Sequence, residues 1–160
     1  MPTPRTALFC TLALCAATAW AGSAEVSFVQ PDRFADAGRG RDAAQVQATL
    51  SAHLAGLAAR YLPAGQTLKV EFTDIDLAGE LRPMARSGQE LRVLRGRADW
   101  PRLDLHYSLS DRGQVIASGD EHLMDMAYLQ RGGVSHDSGA LPYEQRLLSE
   151  WFTQLFAAKR

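Results

Sequence analysis

Arg102-Leu103-Asp104-Leu105-His106-Tyr107-Ser108-Leu109 alternates polar and apolar residues along its whole length. Side chains two apart share a face of an extended chain, so this period marks a strand with one buried and one wet side. Asp111-Arg112-Gly113 follows as a turn, and Val115, Ala117 and Gly119 resume the alternation on a returning strand. Together they predict a β-hairpin. Leu103, Leu105, Tyr107 and Leu109 form its apolar side, and that side needs a layer to cover it.

The chain offers such a layer twice. Val46, Leu50, Leu54, Leu57 and Tyr61 recur at three- and four-residue steps. They predict a helix capped by Asp42 and ended by Pro63 and Gly65. Near the far end, Tyr143, Leu147, Leu148, Trp151, Phe152, Leu155 and Phe156 predict a second amphipathic helix with an aromatic seam. Trp151, Phe152 and Phe156 read as core, because a cofactor pocket would need polar anchors beside them. Two more strands flank the first helix: Val26 and Phe28, stopped by Pro31, and Leu68, Val70 and Phe72, alternating with Lys69, Glu71 and Thr73. Leu91-Arg92-Val93 hints at another between Pro83, Ser87-Gly88 and Gly96, and Gly132 to Gly139 reads as a flexible loop. The order of strand, helix, strands, helix predicts an α+β fold. It is a two-layer sandwich with a mostly antiparallel sheet and two amphipathic helices packed on one face. The other sheet face is left to solvent or to a partner.

Composition narrows the class. The 160 residues are 46% hydrophobic, with 17 Lys+Arg against 18 Asp+Glu and a net charge of -1. A chain this apolar buries enough surface to fold, and it lacks the basic excess of a nucleic-acid-binding domain. Residues 1–21 have the three parts of a secretory signal peptide: Arg5 near the start, an apolar Ala7 to Ala17, and Ala19-Trp20-Ala21 as a cleavage site. Cleavage after Ala21, or alternatively Ala24, leaves residues 22–160 as a single α+β domain, periplasmic or secreted, with no transmembrane segment. Cys10 and Cys15 both fall in the leader. Leu14 before Cys15 speaks against lipid attachment, and the mature chain has no thiol for a disulfide.

Several stretches together resemble a known family. They are Val26-Ser27-Phe28 with Pro31 and Phe34-Ala35-Asp36, then Asp74-Ile75-Asp76-Leu77-Ala78-Gly79-Glu80, then Leu91-Arg92-Val93 and Trp100-Pro101-Arg102-Leu103. Tyr107, Leu123-Met124-Asp125 with Tyr128, and Tyr143-Glu144 with Trp151-Phe152 complete the series. In this order they look like the domain-of-unknown-function 3016 family, an uncharacterised group of exported bacterial proteins. The run from Asp74 to Glu80 is the most specific piece. The resemblance implies a bacterial envelope location and brings no catalytic residues with it.

Four constellations bear on chemistry. Between Leu81 and Arg102, Arg82, Arg86, Arg92, Arg95, Arg97 and Arg102 face only Glu90 and Asp99, the most polarised stretch of the chain. Guanidinium forks suit phosphate and carboxylate, so Arg92, Arg95, Arg97 and Arg102, with Trp100 as a stacking surface, are candidate binding residues. Their expected partner is an anionic envelope protein, lipid headgroup or wall polymer; export disfavours nucleic acid. Asp74 and Asp76 share one side of an extended chain, and with Glu80 they are the alternative, a metal site serving metal binding or metal-dependent hydrolysis. The competing reading is a strand end whose carboxylates bond local backbone. Asp104, His106 and Ser108 suggest a hydrolase triad, but neighbours on one face of one strand rarely reach triad geometry, and no Gly-x-Ser-x-Gly elbow is present. His122, Met124 and Met126 would align soft donors for Cu(I) only if the piece is extended. A small-molecule carrier would need an apolar pocket between helix and sheet. The chain thus reads as an exported, non-catalytic binding or structural component without a cofactor.

Overall fold

A computed structural model describes residues 21–84, 90–132 and 140–157. The leader residues 1–20, Arg86, Ser87-Gly88 and residues 133–139 of the expected glycine loop lie outside the described residues. In chain order the elements are β1 (Ser23–Phe28), α1 (Arg41–Tyr61), β2 (Gln66–Asp76), β3 (Glu80–Pro83), β4 (Glu90–Val93), β5 (Arg102–Asp111), β6 (Gln114–Met124) and α2 (Pro142–Phe152). A π-helical turn, Thr153–Ala157, extends α2.

The main sheet runs β1-β2-β5-β6. β1 and β2 are parallel, because α1 carries the chain back between them; the other two pairings are antiparallel. Val46, Leu50, Leu54 and Leu57 of α1 and Leu147, Leu148, Trp151 and Phe152 of α2 share one buried cluster with the inward residues of β2 and β5. Those inward residues are Leu68, Val70, Phe72 and Ile75, and Leu103, Leu105, Tyr107 and Leu109. Both helices therefore cover the same face, and the α+β sandwich stands as expected. The opposite face carries Lys69, Glu71, Asp74, Asp76, Arg102, Asp104 and His106, every one at least partly exposed.

Local departures from the expected pattern have physical causes. The apolar phase slips by one residue between Phe72 and Ile75, and a β-bulge there keeps both inside while Asp74 and Asp76 stay outside. A second bulge, between the Leu109–Ala117 and Ser110–Val115 pairs, puts Val115 out of phase with Ala117 and leaves it 59% exposed. Arg112 and Gly113 close the hairpin with φ of 49° and 86°, the turn whose twist matches antiparallel strands. α1 begins after Gly40, not at a capping Asp42, which lies in the first turn where its charge favours the helix dipole. The broken stretch after β2 forms two short strands, β3 as well as β4, paired in a separate two-stranded arm. Pro83 fits there because β3 has a free edge. No described helix is long and apolar enough to cross a membrane.

Candidate functional site

β1 and β2 are parallel and end at the same edge of the sheet, where α1 begins. The crevice outside such strand ends is the usual place for a ligand in a parallel unit. Here the arm borders an open cleft of about 780 Å³. Asp36, Gly38 and Arg39 from the approach to α1, Asp76 at the end of β2, Glu80 and Glu90 of the arm, and Asp99 all line it.

Two of the candidate arginines bond carboxylates that line this cleft. Arg92 Nη1 donates to Asp36 Oδ2 at 2.9 Å and to the carbonyls of Gly79 and Ala78 at 3.0 and 3.3 Å. Arg102 Nε donates to Asp76 Oδ2 at 3.1 Å, and its Nη2 bonds the same oxygen. That carboxylate holds the Arg102 guanidinium still more firmly protonated. Arg82 Nη2 bonds Glu80 Oε2 at 2.5 Å. Arg92 and Arg102, expected to face an external anion, thus face the protein's own carboxylates. Asp74 Oδ1 accepts from the N–H groups of Ala35 and Ile75 at 2.8 and 2.9 Å, as a strand-end carboxylate would. Among the described residues, no three His, Cys, Asp or Glu side chains converge as metal ligands do.

Arg95 and Arg97 behave differently. Their backbone N–H groups donate to the two oxygens of Asp99, at 2.6 and 2.8 Å, so one buried carboxylate clamps the loop. Burial alone would raise the pKa of Asp99. These two N–H groups and the Tyr128 hydroxyl outweigh burial and hold it below its ordinary value. The Arg95 and Arg97 side chains are exposed and make no ion pair or hydrogen bond among the described residues. Trp100 is half-buried with its indole nitrogen buried and unpartnered, so it belongs more to the packing than to an open stacking surface.

The outer sheet face holds a different arrangement from the triad weighed above. His106 Nδ1 lies 2.7 Å from Asp120 Oδ1, and His122 Nδ1 bonds Asp104, each across the β5–β6 pairing. Two Asp-x-His segments run antiparallel and so form a checkerboard of opposite partners, while Ser108 faces Ser118. β6 ends at Met124, and Met126 lies in the following turn, so the soft-donor row is not extended throughout.

The run Asp74 to Glu80 is now accounted for residue by residue. Asp74 ties down the β1–α1 connection, and Asp76 pairs with Arg102. Leu77 N–H donates to Asp36 O, Ala78 N–H to Glu144 Oε1 at 2.8 Å, and Gly79 N–H to Asp99 O. Such a run is a junction where arm, sheet and α2 meet. A family model described as "Protein of unknown function (DUF3016)" matches residues 22–154. The chain belongs to this family. No curated protein matches it. The DUF3016 match covers every strand and both helices, so the cleft and its arm lie wholly inside the family's domain.

Two residues of this junction escape sequence reasoning. Asp36 sits in a loop 56 positions from its partner Arg92, and no spacing rule connects them. Glu144 looks like an ordinary acidic residue in a first helical turn, yet it is 2% exposed. Burial pushes its carboxyl pKa up, against the Ala78 N–H and the nearby Arg92. Tyr128, also buried, is pushed up to about 12.

Proposed function

We propose that this DUF3016 protein is an exported, non-catalytic binding component of the bacterial envelope, and that it contacts anionic partners through the loop carrying Arg95 and Arg97. The single observation behind this reading is the contrast among the arginines. Arg82, Arg92 and Arg102 are engaged by internal carboxylates, whereas the forks of Arg95 and Arg97 project from a clamped backbone and meet no partner among the described residues. A pre-ordered backbone lowers the entropy lost when a partner is bound. Export rests on the leader-like residues 1–21.

The test compares retention of the mature protein, Gly22 to Arg160, on immobilised envelope fractions with that of Arg95→Glu/Arg97→Glu. Loss of retention in the variant supports the reading, and equal retention removes the loop from consideration. Fractionation of cells expressing the full chain and a chain without residues 1–21 tests export. Recovery of both in the same compartment would contradict it.

A further inference from the structure

We propose that the anionic partner is a lipid bilayer surface, touched by the outward side of the arm and the 94–97 loop. This rests on the reading above and names the partner of the same site. Leu91 is 54% exposed, Leu94 38% and Leu129 42%. Leu94 and Leu129 lie beside the loop of Arg95 and Arg97. A Cβ on Gly96, between Arg95 and Arg97, would stand 3.0 Å from Leu129 Cδ1. Leu94 directly precedes Arg95, and its Cδ2 lies over Gly79. Leu91 is paired with Arg82 across the arm, on the side facing away from Arg92 and the cleft. Leu94 and Leu129 therefore flank the loop that carries the two guanidiniums, and Leu91 is exposed on the outward side of the neighbouring arm.

Apolar side chains held in water cost free energy in proportion to their exposed area, and clusters of them mark contact surfaces. The bilayer boundary takes both kinds of side chain: leucines enter the acyl edge while guanidiniums bond lipid phosphates. A hydrophilic wall polymer would satisfy the arginines and leave the leucines wet. Phosphate diester headgroups with net negative charge match the pair Arg95 and Arg97. The nearby acids do not oppose them: Asp99 is buried under its own N–H donors, Glu80 is paired with Arg82, and Glu90 lines the cleft.

The experiment is co-sedimentation of the mature protein with phosphatidylcholine vesicles, with and without phosphatidylglycerol, at low and physiological salt. Binding is expected only to vesicles containing phosphatidylglycerol and is expected to weaken as salt rises. Arg95→Glu/Arg97→Glu should weaken it by roughly tenfold or more, and Leu91→Ser by several-fold, with thermal melts showing both variants folded. Leu129→Ser serves as the second apolar variant. No binding to phosphatidylglycerol vesicles overturns the bilayer assignment. So does binding that is undiminished in both leucine variants, since free phosphate would then do as well. Retention on envelope fractions that depends on Arg95 and Arg97 but is traced to protein or wall polymer overturns this inference and leaves the broader reading standing. Loss of arginine dependence everywhere overturns both.

Discussion

Arg92 and Asp36 join the arm to the main domain: Nη1 of one lies 2.9 Å from Oδ2 of the other, with both side chains about one-quarter exposed. The same guanidinium nitrogen reaches the Ala78 and Gly79 carbonyls, so one side chain bonds the β1–α1 connection and the turn after β2 at once. Removing it strands three acceptors together.

Arg92→Ala is accordingly expected to destabilise the fold by about 1–3 kcal/mol, the range for half-buried polar groups deprived of a charged donor. Arg92→Lys should recover only part, because a point charge does not replace a planar fork. Urea unfolding of Arg92→Ala, Asp36→Ala and the double variant measures the coupling. Additive losses would show that the pair is not a link.

Glu144 gives stability a pH dependence opposite in sign to that of most acids. Burial holds its folded pKa above the ordinary carboxylate value, so the protonated form fits the site better than the carboxylate. Its contribution is fully present below the unfolded pKa and declines as pH rises through the folded one. Glu144→Gln keeps an oxygen for the Ala78 N–H and removes the charge. The variant should melt at the same temperature as the parent in mild acid and at a higher one at neutral pH. A variant that loses stability at neutral pH would show that the carboxylate is the form the site needs.

These two examples mark where the sequence is readable. Periodicity located both helices and the main strands, because burial on one face leaves a period of two or near four in the chain itself. It also placed Asp74 and Asp76 on one side of β2. It did not show that Arg92 and Arg102 would meet Asp36 and Asp76, since ion pairing between distant segments has no local signature. It missed β3, a four-residue strand with no buried side chain and hence no alternation to read. Asp42 looked like a cap because cap preference is local, yet the chain enters α1 through Gly40 at positive φ.

His53 on α1 should give a second pH dependence, in the other direction. Its Nε2 lies 2.8 Å from Ser149 Oγ on α2, and partial burial lowers its pKa below the ordinary histidine value of 6.5, against a bond to the Gln145 backbone. A depressed folded pKa contributes stability above the unfolded value that is lost as pH falls through the folded one. An NMR titration of the His53 ring should therefore show a midpoint below 6.5, and His53→Gln should flatten the loss of stability in mild acid. A midpoint above that value would mean that the imidazolium is the favoured form between the helices.

Gly79 is the tightest point of the junction and should be the least tolerant of a side chain. Its φ of 84° is a conformation that L residues rarely adopt, and a Cβ there would lie 2.7 Å from Val93 O and 2.7 Å from Leu94 Cδ2. The leucine end can move; the backbone carbonyl of β4 can move only by shifting the arm. Gly79→Ala is therefore expected to cost more than about 1 kcal/mol, beyond the simple penalty for positive φ. It should also increase hydrogen exchange at the Gly79 N–H, which donates to Asp99 O at 2.8 Å. Gly113→Ala is the matched control, because φ there is also positive but nothing lies within 4 Å of its Cβ. Equal losses in the two variants would attribute the whole effect to backbone strain and none to the close packing of the arm.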